Sequence, residues 1–232
     1  MASMLELARL SQAVYDTPPT PPSGWSLVSF RPAAAGGMSE GMQGAVFRRG
    51  SEVVIAFRGT ETGWDVIPDL NLGVGMNTNY YSAAEDFTVG YGDMPGVCLC
   101  GHSLGGAIAQ VVANRRNFKF ATFNAPGVAV LATSNPGELI GPLAGLRVAG
   151  SVLSALAHPI QAAQDVTATF NTVTGVNVCL QWDQVSNIGA HYGNVVRIPG
   201  TGVSPLSQHS IATVVEVLTT NPVGGMSIES LA

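Results

Sequence analysis

Ser103 lies in Gly101-His102-Ser103-Leu104-Gly105-Gly106, between the apolar run Val97-Cys98-Leu99-Cys100 and the small-residue run Ala107 to Asn114. A G-x-S-x-G between a strand and a helix is a nucleophile elbow: the turn strains the serine backbone and lifts its hydroxyl above the sheet edge. Side chains at Gly101 and Gly105 would collide where strand and helix close on each other, and Gly106 extends that clearance. The helix that follows aims free N–H groups and its positive dipole end at the site, which suits an oxyanion beside Ser103. The chemistry of such a serine is acyl transfer, and it requires a base, an acid to orient that base, and donors for the oxyanion.

One oxyanion donor in this arrangement is the N–H after the nucleophile, here Leu104, and the second must come from another strand end. The buried strand Val53-Val54-Ile55-Ala56-Phe57 runs into Arg58-Gly59-Thr60. Thr60 offers both an N–H and a hydroxyl there; an ordinary strand-ending turn in which Thr60 satisfies its own backbone is the competing reading.

Three stretches together resemble the lipase class 3 group of α/β-hydrolases: Val54 to Thr60, Gly101 to Ala107, and Thr122-Phe123-Asn124-Ala125-Pro126-Gly127. The resemblance spans about Val53 to Gly127 and loosens beyond. It implies an α/β-hydrolase fold, with a mostly parallel central sheet flanked by helices and a helical cap or lid insertion. It also implies an oxyanion role for Thr60 and an ester substrate rather than a peptide. Trp64-Asp65 and Pro68-Asp69-Leu70 resemble the family's lid-proximal pattern, although only Asn77 to Pro95 separates this region from the elbow strand, less than the family usually has.

The order of catalytic residues along an α/β-hydrolase chain is serine, acid, histidine. Gly175 to Leu180 reads as a late strand, and Asp183 just beyond it fits the acid; Asp165, in the preceding alanine-rich segment, is the competitor. Asn194 to Ile198 is a further strand, Ile211 to Leu218 a helix, and His209 lies in the loop between them, where the base is expected. His191 precedes that strand and is close to Asp183 in sequence, which leaves it a pocket-lining role. His158 and His102 are read as structural, the latter turned away from the Ser103 hydroxyl.

Several elements must position these groups. Ser3-Met4-Leu5-Glu6 has the spacing of a capping box and opens a helix through about Tyr15. A proline-rich connector runs from Thr17 to Pro22; short strands follow at Trp25–Phe30 and Gln43–Arg48, with a helix at Thr78–Phe87 and a strand at Lys119–Phe123. Val128 to Thr172 alternates apolar runs with breakers, which suits a cap of short helices. Such helices either accept an acyl chain above the elbow or pack on the core. The segment Leu139 to Leu156 is too short and too interrupted for a membrane span. Asn221 to Ala232 reads as a tail that is ordered and then frays.

Composition bounds the rest. The chain has 232 residues, 46% hydrophobic and 11% charged, which suits one domain with a single large core. A net charge of -5 with no basic cluster gives no footprint for nucleic acid or an anionic surface, so the expected substrate is a neutral or apolar acyl ester, with a lipid interface as a possible partner. No metal or organic cofactor is required by this chemistry, and no cluster has metal-ligand spacing. Three cysteines cannot all pair, and Cys98 and Cys100, on one strand face, read as buried thiols. No basic region precedes an apolar stretch at the N-terminus, so the expectation is a cytoplasmic protein or one exported without a signal peptide. The expected activity is a serine lipase or esterase. Phospholipase A1, thioesterase or acyltransferase chemistry on the same residues, and a non-catalytic lipid-binding module, are the alternatives.

Overall fold

The computed structural model describes residues 1–33, 42–60, 78–92, 94, 96–128, 173–201 and 204–232. The residues expected to form a cap (128–172, Val128 aside), the lid-proximal residues, His158 and Asp165 lie outside that set. The described strands form one seven-stranded sheet in chain order: β1 (Ser26–Arg31), β2 (Gly44–Arg49), β3 (Glu52–Phe57), β4 (Val97–His102), β5 (Lys119–Phe123), β6 (Gly175–Leu180) and β7 (Asn194–Ile198). The first three pair antiparallel; from β3 to β7 every pairing is parallel. The β2–β3 hairpin closes through Gly50-Ser51, with Gly50 at φ +58° in the left-handed region such a two-residue turn demands.

Parallel neighbours need crossovers, and the described crossover helices cover one face of the sheet, while helices before β1 and after β7 cover the other. The described helices are α1 (Met4–Ala13), α2 (Thr78–Thr88), α3 (Leu104–Arg116), α4 (Pro205–His209), α5 (Ile211–Thr220) and α6 (Ile228–Leu231). Strict alternation along the strands divides the core. Val53, Ile55 and Phe57 of β3 and Val97 and Leu99 of β4 pack with α3 and with Tyr81 and Ala84 of α2. Val54, Ala56, Cys98 and Cys100 point the other way, toward α1, α5 and Ile228 of α6. Each fully buried Leu, Ile or Phe in these layers contributes about 1.5–3 kcal/mol relative to exposure. All three cysteines are buried free thiols.

The capping box forms: Glu6 N–H donates to Ser3 Oγ at 3.3 Å and Ser3 N–H to Glu6 Oε2 at 2.9 Å. The helix it opens stops at Ala13, two residues before the expected end, and Tyr15 N–H turns back onto Gln12 O. Arg49 fastens the start of α1 to the sheet, pairing with Glu6 and Glu52 and lying 4.6 Å over the Trp25 ring. The C-terminal residues differ more from expectation. Pro222–Gly225 forms a 3-10 turn, Ile228 is buried, and Met4 N–H donates to Met226 O at 2.8 Å. Val223 and Leu231 pack beside Ile228 on the core, and Lys119 pairs with Glu229, so a stretch whose composition is that of a tail is held in place.

Candidate active site

The parallel register brings the C-terminal ends of the central strands to one edge: Phe57 pairs with Gly101, His102 with Phe123, and Phe123 with Val178. Ser103 follows β4 there with φ +57° and ψ −128°, a conformation non-glycine residues avoid, and its backbone spans the turn into α3. The geometry depends on absent side chains. A Cβ on Gly101 would strike the Gly105 backbone, and one on Gly105 would strike the backbone of Phe57 and Arg58. Strand, turn and helix therefore close to backbone contact only with glycine at both positions.

His209 is the last residue of α4, not a loop residue as the sequence suggested; the helix is so short that its end falls where the loop was expected. Its Nε2 accepts from the Ser103 hydroxyl at 2.9 Å, and its Nδ1–H donates to Asp183 Oδ1 at 2.9 Å. Asp183 is fully buried, and its second oxygen, Oδ2, accepts from Ser186 N–H at 2.9 Å. Asn187 Nδ2 donates to the Asp183 carbonyl, so the loop after β6 is bonded back onto the acid from two directions. Within that loop Trp182 stands at φ +71° and 77% exposed.

Leu104 is the first residue of α3, and its N–H is among those that no intrahelical acceptor can reach. Thr60 stands three residues beyond β3; its Oγ1 is buried and without a partner among the described residues. Gly59 before it lies against the elbow, since a Cβ there would come within 3.1 Å of the Ser103 Cβ and 2.6 Å of the His102 carbonyl oxygen.

His191 is buried against the acid loop. Its Nε2–H donates to the Ser186 carbonyl at 3.1 Å, and burial pushes its imidazole down to about 4. It supports the acid loop. His102 is not turned idly away: its ring lies 4.8 Å from that of His209, and burial holds it neutral, pushed down to about 3. Sequence reasoning missed Asn124 and Tyr15. Asn124, at φ +47°, donates to the Gln208 carbonyl at 2.6 Å and accepts from Leu180 N–H at 2.8 Å, tying the ends of β5 and β6 to α4. The Asn-Ala-Pro-Gly turn was the available signal for it; Tyr15 carried none. Among the described residues no group of three or more His, Cys, Asp and Glu side chains could hold a metal ion.

A mostly parallel sheet, a strained serine at the strand-to-helix turn, and a histidine and buried aspartate in hydrogen-bonded series define an α/β-hydrolase. Residues 6–195 match the family model described as phospholipase-like, Tle-like phospholipase domain, and the chain belongs to that family. It is 30% identical over 101 residues to an extracellular phospholipase A1 of Serratia liquefaciens, a stretch that is 42% of this chain and 31% of that protein. The chain thus spans under a third of the length of that curated relative. The nonglycosylated LIP2 lipase of Yarrowia lipolytica shares the fold at a TM-score of 0.51 and 16% identity, over 84% of this chain and 78% of that one. A triacylglycerol lipase of Penicillium expansum aligns over 85% of this chain and 79% of its own, with a TM-score of 0.45 and 17% identity.

Proposed function

We propose that this chain is a serine carboxylic-ester hydrolase acting on lipid esters, with Ser103, His209 and Asp183 as its catalytic triad. The observation that carries the reading is the unbroken series from Ser103 Oγ through the His209 ring to Asp183, with both links at 2.9 Å. Ser103 attacks the ester carbonyl while His209 Nε2 takes its proton; Asp183 holds the imidazole in the required tautomer and stabilises it once charged. The Leu104 N–H and Thr60, through its N–H or Oγ1, donate to the carbonyl oxygen as it becomes negative. His209 then protonates the leaving alcohol, and water repeats the sequence on the acyl-enzyme. No helix among the described residues is long and apolar enough to cross a membrane.

Between neutral glycerides and phospholipids, the phospholipase-like family and the name of the Serratia relative favour a glycerophospholipid, cleaved at its sn-1 ester. The test is release of fatty acid from phosphatidylcholine labelled separately at each acyl position, beside triolein and a p-nitrophenyl ester series from acetate to palmitate. Ser103→Ala serves as the control, expected to lose about 10⁶-fold in turnover while keeping its fold. Release from sn-1 in preference to triolein supports the phospholipid reading; triolein in preference makes the enzyme a lipase. Hydrolysis that survives Ser103→Ala rejects the triad.

A further inference from the structure

Around the candidate triad runs a second hydrogen-bonded series that the reaction itself does not use. His102 Nε2 lies 2.5 Å from the carbonyl oxygen of His209, His102 Nδ1 lies 2.9 Å from the Tyr15 hydroxyl, and Gly59 N–H donates to that hydroxyl at 3.2 Å. The protons along it follow from chemistry. A carbonyl only accepts, so His102 Nε2 carries the hydrogen; a neutral imidazole has one N–H, so Nδ1 accepts from Tyr15; the Tyr15 oxygen then accepts from Gly59. Burial supports this arrangement, since it keeps the His102 imidazole neutral and raises the Tyr15 phenol well above its usual range.

The two ends of the series are the informative part. His209 ends a five-residue helix, whose last carbonyls have no ladder to join. Two successive carbonyls are taken instead by side chains from the strand ends: Gln208 O by Asn124 and His209 O by His102. At the other end Tyr15 holds Gly59, the residue before the candidate oxyanion donor Thr60. The Tyr15 turn is itself tied down, because Gln43 Nε2 donates to Val14 O at 2.7 Å while Gln43 Oε1 accepts from Arg58 at 2.8 Å.

We propose that Tyr15 and His102 are positioning residues that hold the base His209 and the Gly59–Thr60 strand end in one fixed relation to Ser103. The inference rests on the triad reading above. Neither residue touches the ester; both act through the backbone of residues that do. Losing the Tyr15 hydroxyl leaves His102 Nδ1 without its donor and Gly59 N–H without its acceptor at once, so the ring and the strand end are loosened together.

The experiment compares Tyr15→Phe, His102→Gln and His102→Leu with the wild type in ester turnover, expressed per serine titrated to completion by a fluorophosphonate. Misfolded molecules then drop out of the count. Tyr15→Phe and His102→Leu are expected to lose about 10- to 100-fold in kcat, with KM within about threefold of wild type, because misplacement by an ångström acts on the transition state. His102→Gln places an amide N–H where Nε2–H was and is expected to recover most of that loss. A kcat per titrated serine for Tyr15→Phe within about twofold of wild type, or a glutamine variant no better than the leucine one, overturns the proposal. If Tyr15→Phe yields no titratable protein, the glutamine–leucine pair decides it alone. Should the wild type cleave no ester yet label at Ser103, the esterase reading fails, and the labelling rates of the same variants, expected in the same order, still test the positioning role.

Discussion

At Asp183 the carboxylate is spent on two bonds, one to the His209 ring and one to Ser186 N–H, and it is sealed from water. Asp183→Asn keeps the shape and reverses the sense of the first bond: an amide N–H facing Nδ1 favours the tautomer with its proton on Nε2, where the serine hydroxyl must donate. Turnover is expected to fall by about 10⁴-fold with little change in melting temperature, which kinetics beside a thermal melt would establish. Thr60→Val separates the two donors that residue offers, because valine keeps the N–H and the shape but loses the hydroxyl. A loss of about 10²–10³-fold in kcat marks Oγ1 as a donor to the oxyanion; an unchanged kcat leaves the duty to the N–H alone. The serine, the aspartate and the histidine could all be named from chain order and local motif, since each follows or precedes a recognisable element. Tyr15 and Asn124 could not. Their parts depend on which carbonyls the fold leaves unpaired, and that is decided between segments 84 or more residues apart.

The β4–turn–α3 unit works at backbone contact, so its tolerance for added atoms is the measure of how tightly it is built. Gly105→Ala sets a methyl against the Phe57 and Arg58 backbone, where no flexible side chain can yield. The expected cost is about 1–3 kcal/mol in unfolding free energy, visible as a lower urea midpoint, with kcat falling besides because the same shift moves Ser103. Strands and helices on either side of this unit were legible because the continuous apolar runs of β3 and β4 and the small residues of α3 are strong local signals. Helix ends were less so. α1 stops short of Tyr15 and α4 reaches His209, since both ends are set by bonds to other elements rather than by capping residues within them.

Over the whole molecule, two buried neutral histidines make stability depend on acidity. Burial holds His102 down to about 3 and His191 down to about 4, whereas an unfolded imidazole titrates near about 6.5. Below that value the unfolded chain takes up protons that the folded one refuses, so stability is complete above about pH 6.5 and is lost as the pH falls toward 4. Besides the Ser186 carbonyl, Arg197 opposes a proton on His191 and Asp183 favours one, with burial the larger influence. His191→Gln is expected to flatten the dependence by about 1.4 kcal/mol per pH unit across that window, read from urea midpoints taken at successive pH values. The strands themselves and a mostly parallel sheet were legible from their apolar runs, whereas the strand order is set by pairings between distant segments. The docking of the last residues was not legible, because it rests on contacts between distant segments: Ile228, Val223 and Leu231 against the core, Met4 N–H to Met226 O, Lys119 with Glu229, and Asn194 Nδ2 to Leu231 O.

That contact between first and last helices has a bearing on biosynthesis. In chain order Tyr15 precedes Ser103 and His209 follows both, and α1, which packs on β3 and β4, gains helical partners on that face only with α5 and α6. A nascent chain halted after β7 carries the nucleophile and the acid but no base, and one face of its sheet lacks part of its cover. On the triad reading, Ser103 therefore has no base until α4 has followed β7 and come to rest against the strand ends.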